Sequence, residues 1–167
     1  YPAGSLASTG SDMAKFMLAH LNGGAPLLKP ETARQMHTTA YTVIPGVNRM
    51  LLGFYEQNHN GHRALGHGGD TQWFHSNLHL MPDDGVGLYI SMNSGGRDGA
   101  TGNIRSYLWE GFVNRYFPDN RPPVPSIDAK TAKEHAKLIA GTYVSSRRAD
   151  SSFMSFLELF GQPKIVA

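Results

Sequence analysis

The residues best suited to chemistry lie in one short stretch, GHGGD at positions 66–70, with Trp73 just beyond it. A strand-like run precedes this stretch, and a second run of alternating polarity follows it. Gly68 and Gly69 lack Cβ atoms, so another backbone or a ligand can approach this strand end closely. The pattern predicts a place to dock a substrate, although a Gly-Gly pair between strands is also typical of a turn or bulge.

Three other patterns could carry chemistry, but none is a strong motif. His75 and His79 would share one face of a strand, yet no HExxH motif and no cysteine supports a metal site. A Ser-His-Asp triad with His67 as base stays open, because its members need only meet in space, but no GxSxG elbow is present. The glycine-rich run at 93–103 lacks the Lys-Ser/Thr ending of a phosphate cradle and fits a loop before a helix. The sequence therefore predicts no metal and no cofactor.

The composition is that of a soluble globular protein with one hydrophobic core. The chain has 167 residues, of which 40% are hydrophobic and 17% charged, and its net charge is +2. The Lys and Arg residues are largely scattered, which argues against a nucleic-acid interface. The absence of cysteine excludes disulfides and thiol chemistry, and no apolar run reaches the ~18 residues of a membrane span.

Helices are expected on both sides of the glycine stretch. Ser11-Asp12 is a good N-cap for a helix that Gly23-Gly24 ends, and a second helix should begin at Pro30 and run to His37. A third helix, at 100–116, should cover the sheet with an apolar stripe. The members of that stripe are Ile104, Tyr107, Leu108, Phe112 and Val113.

The intervening sequence predicts an antiparallel meander. Strands are expected at 50–57, 62–68, 74–81 and 86–92. The residues between them are rich in Asn, Gly, Pro and Asp, which form tight turns. Turns this short join antiparallel neighbours.

The composition changes after Phe117. A proline-rich run at 118–126 predicts a linker between residues 1–117, which form one domain, and residues 127–167. Within the latter, 128–141 should be helical and 142–146 extended, and a strand should begin at 163. We interpret residues 127–167 as the truncated start of an appended segment or domain.

Two longer runs resemble a known family: PAGSLASTGSDMAKFMLAHLNGG at 2–24 and GHGGDTQWFHSNLHLMPDDGVGLYISMNS at 66–94. Both are similar to the C-terminal part of the serine β-lactamase-like, or penicillin-binding-protein, family of class C β-lactamases, DD-peptidases and esterases. The resemblance covers residues 1–117. It implies an incomplete α/β (α+β) fold, in which helices flank an antiparallel sheet, and a periplasmic or secreted protein.

The resemblance also implies roles for the GHGGD stretch. Family members acylate a serine with the help of SxxK, YxN and a third motif, KTG or HxG, on a strand that lines the cleft. His67 stands where many members carry lysine, and is expected to hold a substrate carboxylate or polarise neighbouring hydroxyls. Gly68 and Gly69 leave room for the acyl chain. The backbone N–H of Asp70 is the expected oxyanion-hole donor.

The residues around this stretch complete the expected cleft. Trp73 and Phe74 could form an aromatic wall, although core packing is an equally good interpretation of Phe74. By resemblance, residues 1–9 line the opposite side. Because the oxyanion argument concerns the main chain, Asp70→Ala is expected to have a small effect on catalysis and Gly69→Val a large one.

Two of the family's motifs are missing from this chain. No serine is followed three positions later by lysine, and no tyrosine is followed two positions later by asparagine. The nearest imitation, Ser91-Met92-Asn93, falls in an expected strand. The chain therefore lacks the nucleophile and the general base, and should not catalyse acyl transfer alone.

We interpret the chain as a fragment of a serine hydrolase that forms an acyl-enzyme on an amide or ester, with a lean toward esterase or peptidase action. The alternative is a non-catalytic binding or assembly domain. The expected partners are a small-molecule ester, β-lactam or peptide substrate and the missing N-terminal portion of the same protein. Because a partial sheet exposes an edge and an apolar face, self-association is also expected.

Overall fold

The structure, a computed structural model, describes residues 4, 6–40, 44–145, 151–157 and 160–166. The chain divides into two compact units, residues 1–121 and 122–167. The roles assigned to the segments on either side of the proline-rich run stay predictions.

A four-stranded antiparallel sheet, in the order β1-β2-β3-β4, forms the centre of the first unit. The predicted meander is confirmed, but its first strand is much shorter than expected: around residue 50 the backbone forms only isolated bridges, such as Met50 with Tyr55. The strands are β1 (Tyr55–Glu56), β2 (Leu65–Asp70), β3 (His75–Met81) and β4 (Val86–Met92).

The three predicted helices of this unit are present as α1 (Gly10–Leu21), α2 (Pro30–Thr38) and α3 (Ala100–Tyr116). The N-cap of α1 is Thr9 rather than Ser11, and its hydroxyl accepts a hydrogen bond from the Asp12 N–H at 3.1 Å. The helix therefore starts earlier than the sequence indicates, because threonine is also a favourable N-cap residue.

The apolar stripe predicted for α3 is wrong. Val113 is buried and Phe112 half-buried, but the helix turns Thr101 and Trp109 inward with them. Apolar residues occur on more than one side of this helix, so the sequence does not single out one face. The other members of the predicted stripe are largely exposed: Ile104 by 45%, Tyr107 by 70% and Leu108 by 50%.

Both faces of the sheet are covered, and β3 contributes to both cores. Leu78 and Leu80 pack with Met17 of α1 on one face. Met81 packs with Trp109 and Val113 of α3 on the other. Alternate side chains of a strand point to opposite faces, so a strand between two helical layers is buried along both of its stripes. Burial of each such large side chain contributes about 1.5–3 kcal/mol.

A buried pair of histidines joins α1 to α2. The Nδ1 atom of His20 lies 2.9 Å from Nε2 of His37, and the edge of the Phe54 ring closes the pair. Burial lowers the pKa of both rings, and burial together with the neighbouring His20 and Arg63 brings the pKa of His37 to about 4. One ring therefore donates and the other accepts while both stay neutral.

The second unit is small. It contains α4 (Ala129–Ile139), β5 (Gly141–Thr142), α5 (Met154–Leu157) and β6 (Lys164–Ile165), and β5 pairs with β6 in antiparallel fashion. Asp128 caps α4 by accepting from the N–H groups of Lys130 and Thr131. Across the described ranges, every helix is too short or too polar to cross a membrane.

Candidate functional site

Strand β2 holds four of the five predicted site residues in a row, at positions 67–70. Strand β3 runs beside all of them, whereas β1 reaches only Gly66 and Leu65. On the side away from β3, no strand in the described part of the chain pairs with 67–70. This half of β2 is therefore an open sheet edge.

The hydrogen-bond pattern decides which way the backbone of Asp70 points. The Thr71 N–H donates to Phe74 O at 2.8 Å, so these two residues form a hydrogen-bonded pair. Such pairs alternate with non-bonded ones along an antiparallel ladder, and the β2–β3 register is regular, so Asp70 opposite His75 is a non-bonded pair. The N–H and C=O of Asp70 therefore point away from β3, toward the open edge. The same holds for Gly68.

The three glycines of this strand leave different amounts of room for a side chain. A Cβ on Gly68 would lie 3.0 Å from Asn77 Oδ1, and one on Gly69 would lie 3.0 Å from Ser76 Oγ. The tightest position is Gly66, where a Cβ would collide with the Leu78 carbonyl oxygen. Sequence reasoning assigned the close approach to the Gly-Gly pair, whereas the closest backbone contact lies two residues earlier.

His67 lies exposed on β2, with its ring stacked against Tyr55 at a centroid distance of 4.9 Å. Its Nδ1 atom lies 2.5 Å from the carbonyl oxygen of Gly68, so Nδ1 carries the proton and donates. Among the described side chains, His67 has no carboxylate partner. A Ser-His-Asp triad with His67 as base is therefore not assembled in this structure.

The Asp70 carboxylate pairs instead with two residues that sequence reasoning did not select. His75 Nδ1 lies 2.6 Å from Oδ1 of Asp70, and Nη2 of Arg105 lies 2.8 Å from the same oxygen. Nη1 of Arg105 also donates to Ser76 O at 2.9 Å and to Asn77 Oδ1 at 3.1 Å. The hydrogen bond from His75, with the charge of Arg105, holds the pKa of Asp70 below its usual range.

One of these two partners could have been found from the sequence. A tight turn at 71–74 places residues 70 and 75 opposite each other, so His75 is the expected cross-strand neighbour of Asp70. Arg105 comes from α3, 35 residues further along the chain. Only the packing of that helix on the sheet brings Arg105 to Asp70.

The aromatic residues beside the site are exposed. Trp73 and Phe74 lie in or next to the turn after β2 and are 62% and 61% accessible. The core interpretation of Phe74 is wrong, because most of this residue is exposed and it belongs to neither hydrophobic core. Both rings are therefore accessible to solvent.

The other candidate patterns do not gather into sites. His75 faces Asp70, whereas His79 stacks on Trp109, and the described residues contain no cluster of three or more metal-ligating side chains. The glycine-rich run at 93–103 leads into α3, whose N-cap, Gly99, has a left-handed conformation with φ 74°. Of residues 1–9, positions 1–3 and 5 lie outside the described residues.

The geometry at 67–70 suits a carbonyl-containing ligand. The backbone N–H of Asp70 points outward, two glycines precede it, and the ring of His67 lies on the same strand. A carbonyl oxygen that becomes negatively charged during a reaction is stabilised by such a fixed donor.

Comparison with known proteins shows the family and the fold of the chain. The model of the family described as Beta-lactamase matches residues 1–108. No curated protein matches the chain significantly. Among solved structures, the octameric penicillin-binding protein homologue from Pyrococcus abyssi is similar, with 19% identity and a TM-score of 0.53 over 82% of this chain and 30% of the other. A second structure, described as SurE with D-Leu, has 22% identity and a TM-score of 0.47 over 84% of this chain and 34% of the other.

The chain thus spans about a third of the length of these structural neighbours. The first likeness bears out the fold expected from the sequence, a mixed arrangement of helices around an antiparallel sheet. Because the family model matches more than half of the residues, the chain belongs to the β-lactamase family.

Proposed function

We propose that this chain is the cleft-lining part of a serine hydrolase of the β-lactamase, DD-peptidase and esterase kind. Such an enzyme forms an acyl-enzyme on an amide or ester. The serine nucleophile and its base belong to another part of the protein, since this chain contains neither SxxK nor YxN. The chain alone is inactive under this proposal.

The observation that supports the proposal most is the direction of the Asp70 N–H. It points out of the sheet at an edge that β1 leaves open, next to two glycines without side chains. In this role the N–H receives the oxygen of the tetrahedral intermediate. A donor of this kind contributes about 3–4 kcal/mol to transition-state stabilisation.

The neighbouring residues take the remaining roles. His67 presents Nε2 to the substrate, because Nδ1 is held by the Gly68 carbonyl oxygen. The acyl chain lies along Gly68 and Gly69, and Trp73 contacts its far end. HGG instead of KTG favours ester or peptide substrates over β-lactams.

The test is complementation. The chain is co-expressed with an N-terminal segment from the same coding region that bears SxxK, and acylation is followed with a fluorescent penicillin and a chromogenic ester. The proposal expects covalent labelling of the N-terminal segment only when both parts are present. A matched control replaces the serine of SxxK by alanine.

A second candidate is a non-catalytic binding or assembly domain in which the edge of β2 binds a ligand without chemistry. The absence of SxxK and YxN from this chain favours it. A folded pair that binds ligand but is never labelled would support this candidate against the hydrolase.

Both candidates share one expectation about partners. β4 pairs only with β3 within the described strands, so its outer backbone groups can accept another strand. We propose that the N-terminal portion of the protein normally pairs there, and that a second copy of the chain does so when that portion is absent.

A further inference from the structure

We propose that Arg105 is the positioning residue of this site: its guanidinium holds the end of β2 so that the Asp70 N–H keeps its outward direction. The inference rests on the proposed function, because it assigns to Arg105 the support of the oxyanion donor. Arg105 itself does not touch the substrate.

The contacts of Arg105 span two strands. Nη2 holds the Asp70 side chain on β2, while Nη1 holds the Ser76 carbonyl oxygen and the Asn77 side chain on β3. His75 supports the same carboxylate oxygen from across the hairpin. The end of β2 is thereby tied to its neighbour by a helix that lies on the sheet.

This tie acts where the described part of the chain supplies a neighbouring strand on one side only. Among the described strands, β2 beyond Gly66 pairs with β3 alone, so its end is held less firmly than a central strand would be. The turn that follows contains the exposed Trp73 and Phe74 and contributes little packing. The contacts of Arg105 therefore add to the restraint that the β2–β3 ladder already places on the Asp70 backbone.

Stability alone does not explain such a clamp. The Arg105 side chain is only 11% exposed, and a guanidinium loses much of its hydration at that depth. Buried ion pairs are often no more stabilising than apolar side chains of the same size. What Arg105 offers, and an apolar residue does not, is a planar set of donors that fixes three acceptors at once.

The first measurement uses the chain as it is. Amide hydrogen exchange at Thr71 reports the end of the β2–β3 ladder, because this N–H bonds to Phe74 O at 2.8 Å. Arg105→Met should speed this exchange by about tenfold or more beyond the change in global stability. Carbon-13 titration of the Asp70 carboxyl should also show its pKa rising toward the ordinary value.

The matched control is Arg49→Met. Arg49 also pairs with a buried carboxylate, Glu56, through Nε at 2.8 Å, but at the opposite end of the same sheet. This variant should lower global stability, and the exchange rate of the Thr71 amide should change only as much as that loss of stability predicts. Arg105→Lys should keep much of the low pKa of Asp70 but not the slow exchange, since one ammonium group cannot span the three acceptors.

The second measurement uses the complemented enzyme. Arg105→Met should lower kcat for the ester by about 10- to 100-fold with KM changed less than about twofold, because misplacement of a donor acts on the transition state. Arg49→Met should leave kcat and KM for the ester unchanged once the protein is folded.

The outcomes separate the two proposals. If the unaltered pair has no turnover, the proposed function fails, and the exchange and titration results still decide whether Arg105 holds the strand end. The inference is overturned if Thr71 exchange follows global stability equally in both variants. It is also overturned if Arg105→Met leaves kcat unchanged in an active pair.

Discussion

The imidazole of His79 lies flat against the indole of Trp109, with 3° between the ring planes and 4.0 Å between the centroids. The stack joins β3 to α3 inside the second core. Both ring nitrogens of His79 are buried and have no hydrogen-bond partner in the part of the chain that the structure covers. Burial lowers the pKa of this ring to about 4, so at neutral pH the ring is uncharged and packs as an aromatic side chain.

We expect the first unit to lose stability in mild acid. His79 and His37 have folded pKa values of about 4, below the ordinary value of 6.5. Above pH 6.5 both rings are neutral in the folded and in the unfolded chain, so their titration does not change the free energy of unfolding. Between pH 6.5 and 4 the unfolded chain takes up protons that the folded chain refuses, so each ring removes on the order of 3 kcal/mol. Urea unfolding at pH 7.5, 5.5 and 4 measures this loss.

A substitution tests whether His79 causes part of the loss of stability in acid. His79→Phe keeps a flat ring against Trp109 and removes the titration, so the dependence on pH between 6.5 and 4 should become weaker. His135→Gln, at an exposed position of α4, is the control and should leave that dependence unchanged. Identical pH profiles for His79→Phe and the unaltered chain would show that folding does not lower the pKa of this ring.

Glycine substitutions should differ sharply with position. Gly66→Ala places a Cβ against the Leu78 carbonyl oxygen of the neighbouring strand, and overpacking of this kind costs about 1–3 kcal/mol or more. Gly111→Ala lies in α3 with nothing near its Cβ, and should stabilise by about 0.5–1 kcal/mol. Thermal unfolding of both variants measures the contrast. Similar melting temperatures for the two would contradict the strand register.

The structure changes the expectation for Asp70→Ala. From the sequence, only the backbone of Asp70 mattered, but its carboxylate bonds His75 and Arg105. Removal leaves the buried guanidinium without its counter-charge, so we expect a loss of about 1–3 kcal/mol in the free energy of unfolding. Lys15→Ala, which breaks an exposed pair with Asp12, should change stability by less than about 0.5 kcal/mol.

Gly69→Val remains the variant expected to damage catalysis most. Its Cβ would lie 3.0 Å from Ser76 Oγ, and the branched side chain would occupy space beside Gly68 and Gly69, where the acyl chain is proposed to lie. In the complemented enzyme, kcat/KM should fall further for Gly69→Val than for Asp70→Ala. Comparable values for the two variants would refute the assignment of the acyl path.

The isolated chain should self-associate at micromolar concentration. β4 is a seven-residue strand at the outer edge of the sheet, and it contains no proline and no charged residue. Light scattering should show dimers or larger species, and Ser91→Lys on β4 should shift them toward monomer. Ser106→Lys on α3 is the control. A monomer in all three samples would show that this edge is protected by other means.

The local elements of the fold could be read from the residues. The start of α3 after Gly99 and the turn after β3, at 82–85, depend on glycine and proline, whose conformational preferences act within a few residues. The short β1 could not be read in this way, because an apolar run at 50–57 is equally compatible with a strand and with a bridged loop. The buried face of α3 was also hidden, since apolar side chains surround that helix.

By itself, the sequence determined the antiparallel meander and the resemblance to the family, because these follow from local patterns and motif order. It placed only His67 and Gly68 of the HGGD segment on a strand, whereas the structure extends β2 through Asp70. It also determined that this chain carries neither SxxK nor YxN. Only the tertiary structure decided that the Asp70 backbone faces an open edge and that Arg105 holds its carboxylate. Those relationships depend on strand register and on how a distant helix packs on the sheet, and neither is encoded in the spacing of neighbouring residues.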